Sequence, residues 1–257
     1  MKSSVKRISR TVVLGTFLCL MFSVASCTVT KTANQSVSIT SKPESSGGKG
    51  GVLGESAQTL NDLQCFVYVP TSYSDDIPMP YMQVYHGGSA QADGDILTKY
   101  KETAERKGFL VCSVSLVKDP WEKDIELAND VRDEMAVRYN IDLRHCYIGG
   151  HSWGGGIALN VGILKPGWAG IHVLSGNGWP PEKLPRPSKP VVAIYWTAGD
   201  NDRILDYEEI QKDVKRLRKK GYNVNFVPID SGNIDSHALS WCDTGAAWDW
   251  TYSQRSP

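Results

Sequence analysis

The sequence predicts an α/β fold in which a mostly parallel sheet carries helices on both faces. Short apolar runs that are typical of buried strands alternate along the chain with segments of helical spacing. This alternation favours a parallel sheet, because each crossover helix packs on a face of the sheet and covers it. A second observation is the glycine-rich segment at residues 149–155, which joins one predicted strand directly to one predicted helix.

Each predicted element follows from its local pattern. Apolar runs predict strands at residues 81–85, 109–117, 146–148, 170–174, 191–196 and 224–229. Apolar residues three or four positions apart predict helices at residues 97–104, 128–135 and 210–217. A continuous apolar run after the glycine-rich turn predicts a further helix at residues 157–164. Gly108 and Gly221 are expected to end the first and last of these helices, since glycine readily adopts the left-handed conformation of a helix end.

The turn at residues 149–155 has the pattern Gly-x-Ser-x-Gly with Ser152 at its centre. Glycines on both sides permit the strained backbone by which a strand turns at once into a helix. This turn exposes the serine hydroxyl at the end of the sheet, beside helix N–H groups that favour a developing negative charge. Ser152 is therefore the predicted nucleophile, and a purely structural turn is the alternative.

A serine nucleophile needs a base and an acid that orients the base, in the chain order Ser, Asp or Glu, His. His237 follows the last predicted strand and is the predicted base. Two aspartates, Asp200 and Asp202, follow the strand at residues 191–196. Asp202 is preferred because it lies three residues after Gly199 and is followed by apolar residues. The other aspartate would form an Asx turn or cap a helix.

Two backbone N–H groups are expected to hold a negatively charged oxygen during the reaction. The first is that of Trp153, directly after the serine. The second lies in the His-Gly-Gly-Ser sequence after the strand at residues 81–85, where Gly88 is the first choice and Ser89 the second. His86 is expected to brace this loop instead of acting in catalysis.

With these residues in order, the chain resembles the α/β-hydrolase superfamily. Within it, the chain is similar to the cap-less secreted esterases related to polyhydroxybutyrate depolymerases and feruloyl or acetylxylan esterases. Residues 65–248 carry the resemblance, at segments 66–70, 86–88, 104–111, 139–142, 149–155 and 202–207. It implies an eight-stranded sheet without a large lid and ester hydrolysis through an acyl-enzyme. The catalytic residues would be Ser152, Asp202 and His237.

The substrate is expected to be a bulky or polymer-borne ester. The segment at residues 175–190 is Pro-rich and too short for a helical cap, so the site would be open. An open site suits esters carried on a polysaccharide or a polyester. Trp153, Trp179 and Trp241 are candidates for an aromatic wall or sugar platform, although large aromatic residues more often serve the core.

The N-terminus indicates export. Four basic residues within the first ten precede an apolar stretch at about residues 12–24, as in a signal peptide. Val-Ala-Ser before Cys27 resembles a bacterial lipobox, which implies removal of residues 1–26 and lipid attachment to Cys27. An aspartate directly after the cysteine would resemble an inner-membrane retention signal, but this chain has Thr28 there. An anchor in the outer membrane or at the cell surface is therefore expected. A plain signal peptide or an uncleaved anchor is the alternative.

The mature chain is predicted to be a tether followed by one domain. Residues 27–51 are rich in Ser, Thr, Lys and Gly, which predicts a flexible segment, and residues 52–257 would form the catalytic domain.

The full sequence has 28 basic and 28 acidic residues, and loss of the signal peptide leaves it net negative. This balance argues against a nucleic-acid partner. The basic run at residues 215–220 ends a helix that begins with acidic residues, which is typical of a solvated helix end.

No cofactor and no metal are predicted. The sequence contains no P-loop, dinucleotide fingerprint or metal-ligand cluster. The cysteines of the predicted domain lie largely in strand-like runs, so buried free thiols are expected even though export permits disulfides. They are Cys65, Cys112, Cys146 and Cys242.

The sequence as a whole predicts a membrane-anchored serine esterase that acts outside the cytoplasm. One alternative is a serine peptidase of the prolyl-oligopeptidase type, although such enzymes usually carry a propeller or a cap. The other is a non-catalytic lipoprotein that keeps the fold as a binding module.

Overall fold

A computed structural model describes residues 43–255. The predicted signal peptide, Cys27 and most of the predicted tether lie outside the described residues. The strands are β1 (Gly54–Leu60), β2 (Leu63–Val69), β3 (Met79–Tyr85), β4 (Leu110–Val114), β5 (Ile141–His151), β6 (Gly170–Leu174), β7 (Ala193–Gly199) and β8 (Asn223–Ile229). The α-helices are α1 (Asp95–Lys107), α2 (Glu122–Arg138), α3 (Trp153–Leu164), α4 (Tyr207–Lys220) and α5 (Thr244–Ser253). Among these residues, no helix has the length and apolar character needed to cross a membrane.

The eight strands form one sheet in the order β1-β2-β4-β3-β5-β6-β7-β8. β2 runs antiparallel to both β1 and β4, and every other neighbouring pair is parallel. The mostly parallel sheet is therefore confirmed. The chain crosses from β3 to β4 on one side and then to β5 on the other side of β3. This reversal separates the loops that follow β3 and β5 and leaves a crevice at their carboxyl ends.

Helices cover both faces of the sheet, and each face has its own core. α1 and α5 pack on one face, where the rings of Phe109 and Trp248 stack with centroids 3.7 Å apart. α2, α3 and α4 pack on the other face.

The four cysteines in the described part of the chain are buried free thiols: Cys65, Cys112, Cys146 and Cys242.

The helix ends follow the sequence pattern. α1 ends at Gly108 with φ 72° and α4 ends at Gly221 with φ 101°, as predicted. α4 also carries acidic residues in its first turn and basic residues in its last turn, which complements the helix dipole. β1, β2 and α5 are absent from the ranges predicted by local pattern. β1 is an edge strand of mostly small or polar residues in which alternate positions are exposed, so it lacks an apolar run.

The folded unit begins earlier than the predicted boundary at Val52. The N–H of Ser46 donates to the carbonyl of Ile141 at 2.9 Å, and the N–H of Gly50 donates to that of Arg138 at 2.9 Å. Gly48 lies so close to the backbone of Tyr139 that a Cβ would clash with it. The serine and glycine content that predicted a flexible tether instead permits close backbone packing at the end of this segment.

A buried histidine connects the sheet to α1 and α5. The Tyr100 hydroxyl and Nδ1 of His172 are 2.9 Å apart, and Nε2 of His172 is 2.8 Å from Oγ1 of Thr251. The Thr251 hydroxyl donates to a helix carbonyl, so Nε2 of His172 carries the proton and Nδ1 accepts. Burial lowers the pKa of His172 from 6.5 to about 3.

This histidine makes the fold sensitive to acid. Between pH 6.5 and about 3 the unfolded chain binds a proton on His172 that the folded chain excludes. The free energy of unfolding therefore falls as the pH falls through this window, by up to about 1.4 kcal/mol per pH unit from this group. In chemical denaturation at pH 7.5 and pH 5, we expect His172→Gln to lose less stability than the wild type. Equal losses in both proteins would contradict the assignment.

Candidate active site

Ser152 lies between β5 and α3 at the carboxyl edge of the sheet. Its backbone has φ 52° and ψ −118°, a positive φ that residues other than glycine rarely adopt. The N–H of Ser152 donates to the carbonyl of Leu174 at 3.1 Å, and its carbonyl accepts from Gly155 N–H at 3.0 Å. Neighbouring β6 and the first turn of α3 therefore hold this strained residue in place, as is found at functional sites.

Two glycines make the turn at Ser152 possible. A Cβ on Gly150 would clash with the backbone of Gly154, and a Cβ on Gly154 would clash with the carbonyl of Tyr85 at the end of β3. Both obstacles are backbone atoms, which cannot move aside as a flexible side chain could. The strand, the turn and the helix are therefore packed at a distance that only glycine permits.

Replacing Gly150 by alanine is expected to destabilise the domain by about 2 kcal/mol or more, because the added methyl group overlaps backbone atoms. Gly88→Ala is the matched control, since a Cβ there meets nothing within 4 Å. This control is expected to change the free energy of unfolding by about 0.5 kcal/mol or less. Urea denaturation of the two variants and the wild type makes the comparison. Similar stability of the two variants would show that the turn at Ser152 is not tightly packed.

His237 lies in the loop after β8 and links Ser152 to Asp202. Its Nε2 is 3.0 Å from Oγ of Ser152, and its Nδ1 is 2.8 Å from Oδ2 of Asp202. A carboxylate only accepts, so Nδ1 carries the proton of the neutral ring and donates to it. Nε2 is then free to accept the proton of the serine hydroxyl. The structure thus brings together the three residues that the chain order predicted.

Asp202, and not Asp200, is the aspartate that contacts His237. The side chain of Asp202 is fully shielded from solvent. Its Oδ1 accepts from the N–H groups of Ile204 and Leu205, each at 2.9 Å. Both carboxylate oxygens therefore have fixed partners. Asp200 is exposed and, within residues 43–255, forms no hydrogen bond with the histidine.

The loop that carries His237 is held by contacts that the sequence did not reveal. Nε2 of His151 donates to the carbonyl of His237 at 2.8 Å. Oδ1 of Asp235 accepts from the N–H of His237 at 3.0 Å, and this hydrogen bond lowers the pKa of Asp235. Burial lowers the pKa of His151, which favours its neutral form. The only indication of this role in the sequence is that His151 directly precedes the predicted nucleophile.

The loop after β3 passes directly beside the nucleophile. Nδ1 of buried His86 donates to the carbonyl of Gly87 at 2.6 Å, and its Nε2 accepts from the N–H of Leu116 at 3.4 Å. Burial lowers the pKa of His86. A Cβ on Gly87 would lie 3.4 Å from Cβ of Ser152. His86 therefore braces this loop, as expected, and holds it against the turn.

The two predicted N–H donors lie in the segments that adjoin Ser152. Gly88 is exposed in the loop after β3, and Trp153 is the first residue of α3. Among residues 43–255, neither backbone N–H has a hydrogen-bond acceptor. Ser89, the second choice for the first donor, follows Gly88 and is also exposed. The arrangement leaves the N–H groups of Gly88 and Trp153 available to a substrate oxygen.

Trp153 also forms one wall of a groove. Its ring meets that of Trp179 edge-on, with centroids 5.2 Å apart and an interplanar angle of 81°. The groove has a volume of about 810 Å³ and is further lined by Trp121, Ile125 and Leu164. Two of the three tryptophans predicted as an aromatic wall therefore come together. The third, Trp241, does not line this groove, and its Nε1 donates to the carbonyl of Asp235 at 3.1 Å, in the loop that carries His237.

No helix covers the site from the connection between β6 and β7, all of which is described. The connection is held down by Arg216 of α4, whose guanidinium donates to the carbonyls of Pro180, Pro181 and Glu182. This agrees with the prediction that no large lid is present. Among residues 43–255, no group of three or more His, Cys, Asp or Glu side chains is arranged to hold a metal ion.

Comparison with sequences of known proteins finds limited similarity. No family model matches the chain. A bifunctional acetylxylan esterase/xylanase, XynS20E from Neocallimastix patriciarum, is 24% identical over 233 residues. The match covers 79% of this chain and 33% of that protein, so the chain spans about a third of the length of its relative.

Comparison with solved structures establishes the fold. Est1E from Butyrivibrio proteoclasticus has a TM-score of 0.57 at 14% identity, covering 79% of this chain and 100% of that one. S-formylglutathione hydrolase (FrmB) from Staphylococcus aureus has a TM-score of 0.60 at 13% identity, with coverage of 81% and 98%. TT1662 from Thermus thermophilus has a TM-score of 0.58 at 18% identity, with coverage of 80% and 100%. The predicted α/β-hydrolase fold is confirmed.

Proposed function

We propose that this protein is a serine hydrolase that cleaves carboxylic esters through an acyl-enzyme. The observation that carries the proposal is the pair of hydrogen bonds that connects three side chains. Oγ of Ser152 is 3.0 Å from Nε2 of His237, and Nδ1 of His237 is 2.8 Å from Oδ2 of Asp202. Ser152 lies in a strained turn that presents its hydroxyl at the edge of the sheet. The acetylxylan esterase/xylanase to which the chain is similar and the S-formylglutathione hydrolase among its structural neighbours support the same chemistry.

The first half of the reaction forms the acyl-enzyme. Oγ of Ser152 attacks the ester carbonyl carbon while Nε2 of His237 takes the hydroxyl proton. The N–H groups of Gly88 and Trp153 donate to the negatively charged oxygen of the tetrahedral intermediate. Asp202 stabilises the imidazolium. The bond to the leaving oxygen then breaks, His237 returns its proton to that oxygen, and the alcohol departs.

The second half of the reaction releases the acid. Nε2 of His237 accepts a proton from water as the water oxygen attacks the acyl carbon. A second tetrahedral intermediate forms with its negative oxygen at the same N–H groups. When it collapses, the bond to Oγ of Ser152 breaks and His237 returns the proton to the serine. The enzyme is restored and needs no cofactor in either half.

We infer that the substrate is bulky or carried on a polymer such as a polysaccharide or a polyester. The connection between β6 and β7 leaves the site open, and the groove beside Trp153 and Trp179 offers a mostly apolar surface for a large group. Aromatic rings in this position can pack against either an aromatic acyl group or the apolar face of a sugar. The acetylxylan esterase activity named for the relative agrees with an ester on a polysaccharide.

A panel of substrates tests this function. The purified full-length chain is assayed with 4-nitrophenyl acetate, longer 4-nitrophenyl esters, methyl ferulate, acetylated xylan and polyhydroxybutyrate, and with peptide 4-nitroanilides. We expect hydrolysis of esters, with the bulky or polymeric ones preferred, and no amide cleavage. Faster cleavage of peptide amides would indicate a peptidase. No turnover of any substrate by the folded protein would indicate a binding module.

We also propose that the protein is exported and anchored to a membrane through lipid on Cys27. The support is the basic and apolar N-terminal sequence before Val-Ala-Ser-Cys. In a bacterial host fed labelled palmitate, the wild type is expected to take up label and to sediment with membranes. Cys27→Ser should lose both properties, whereas Cys19→Ser, within the predicted signal peptide, should retain both. Equal labelling of all three proteins would contradict lipid attachment to Cys27.

A further inference from the structure

A second cavity lies at the opposite edge of the sheet from Ser152. Its volume is about 780 Å³. Its walls come from residues at the amino ends of β5, β6, β7 and β8, and from the last turn of α3. His145, in its wall, precedes Ser152 by seven residues of extended chain, which corresponds to about 23 Å at ~3.3 Å per residue. The cavity is therefore distant from Ser152, although it adjoins the far end of the groove, with which it shares Leu164 and Lys165.

The side chains around this cavity are basic. None of its lining residues is acidic. A concave surface that presents charge of one sign concentrates ions of the opposite sign. The basic residues that line it, here called the basic cavity, are Arg144, His145, Lys165, Arg186, Lys189 and Arg255.

Several of these cations are not engaged by the rest of the protein. Within residues 43–255, the side chains of Lys165, Arg186 and Lys189 form no ion pair and no hydrogen bond. Arg255 is only weakly engaged, since its guanidinium donates to the carbonyls of Ala169 and Trp168 at 3.5 and 3.4 Å. The positive charge of the basic cavity is thus largely unneutralised.

Arg144 has only a long ion pair and lacks hydrogen-bond acceptors for two of its nitrogens. Its Nε and Nη2 are shielded from solvent and have no hydrogen-bond acceptor among the described residues. Asp142 is the nearby carboxylate, but its Oδ1 is 4.0 Å from Nε of Arg144, too far for a hydrogen bond. Asp142 instead accepts from Nδ1 of His145 at 2.7 Å and from the N–H of Glu44 at 3.1 Å. The Arg144 side chain as a whole is 31% exposed, so its charge can act on an oxyanion in the cavity.

Apolar residues form much of the remaining wall, beside the polar Ser188, Tyr222 and Gln254. Ile163, Pro166, Trp168 and Val192 contribute to it. A cavity of this volume that combines apolar walls with a few charged groups is typical of a site for a small organic molecule. The ligand that matches it carries negative groups on a compact body with some apolar surface.

We propose that the basic cavity binds a small organic molecule that carries two or more oxyanion groups, either carboxylates or phosphates. Cations placed around the cavity meet several negative groups at once, which favours a multivalent anion over a monovalent one. The guanidinium groups supply paired N–H donors that match carboxylate and phosphate oxygens. This inference does not depend on the proposed ester hydrolysis.

Isothermal titration calorimetry with the purified full-length chain tests the proposal. The probes are pyrophosphate and trigalacturonate, which present phosphate and carboxylate oxyanions respectively, with acetate as the monovalent reference. We expect saturable binding of at least one multivalent probe, weaker binding of acetate, and loss of affinity as ionic strength rises. Tighter binding of pyrophosphate would identify a phosphorylated ligand, and tighter binding of trigalacturonate an acidic saccharide.

A pair of charge-matched variants locates the binding. Arg186→Glu with Lys189→Glu changes two exposed residues of the basic cavity and is expected to weaken affinity by about tenfold or more. Lys215→Glu with Lys219→Glu makes the same charge change on exposed positions of α4 and is expected to leave affinity unchanged. Equal weakening in both variants would reveal unspecific attraction and overturn the proposal. Failure of both multivalent probes to saturate the wild type would also overturn it.

Discussion

Replacing Ser152 by alanine is expected to lower kcat/KM for esters by about three orders of magnitude or more. Without Oγ no acyl-enzyme can form, whereas His237 and Asp202 stay hydrogen-bonded at 2.8 Å. Alanine keeps the Cβ of serine, so the turn at φ 52° has the same backbone demands and the fold should be retained. Steady-state kinetics with 4-nitrophenyl acetate, together with circular dichroism, makes this measurement.

The matched control for this variant is Ser72→Ala, which removes a hydroxyl from an exposed turn. Its kcat/KM should equal that of the wild type. If Ser152→Ala remained folded and kept ester turnover within about tenfold of the wild type, the nucleophile would have to lie elsewhere.

Replacing Asp202 by asparagine is expected to lower kcat by about four orders of magnitude, because the amide reverses the hydrogen bond to the histidine. An amide N–H directed at Nδ1 of His237 would place the ring proton on Nε2. That nitrogen could then no longer accept the proton of Ser152. The amide oxygen can still accept from the N–H groups of Ile204 and Leu205, so the loop should keep its conformation.

Asp200→Asn is the matched control, because it makes the same chemical change two residues away on an exposed side chain. We expect this variant to retain kcat within about threefold of the wild type, as exposed substitutions usually do. If Asp200→Asn proved the more damaging, the assignment of the acid would be wrong. Equal losses in the two variants would indicate that the loop, and not one carboxylate, determines activity.

The residues at the candidate site could be predicted because each lies where a parallel strand ends. Ser152 follows β5, Asp202 follows β7 and His237 follows β8. The carboxyl ends of parallel strands meet at one edge of the sheet, so chain order alone implied that these side chains converge. The choice of Asp202 over Asp200 also rested on local sequence, and the structure places Asp202 at the histidine.

The supports of the site could not be predicted in this way. His151 and Asp235 act through hydrogen bonds to the carbonyl and the N–H of His237, and backbone groups leave no pattern in a sequence. The composition of residues 27–51 predicted a flexible linker, but Ser46 and Gly50 form backbone hydrogen bonds with the domain. Small residues suit both flexible segments and close backbone contacts.

The basic cavity was hidden for a related reason. Its cations are spread along the chain from Arg144 to Arg255 and converge only when β5, α3 and the C-terminal residues are packed. The basic run that is visible in the sequence, at residues 215–220, is instead the last part of α4, with acidic residues at the other end of that helix. Clustering in sequence and clustering in space therefore identify different surfaces of this protein.

The most direct test of the central claim is covalent labelling of the purified full-length protein with a fluorophosphonate, followed by peptide mass spectrometry. An activated serine should attack the phosphorus, displace fluoride and leave one adduct on the peptide that contains Ser152. We expect that adduct in the wild type, its absence in Ser152→Ala and its strong reduction in Asp202→Asn. A folded wild-type protein without an adduct, or with an adduct on another serine, would contradict the account.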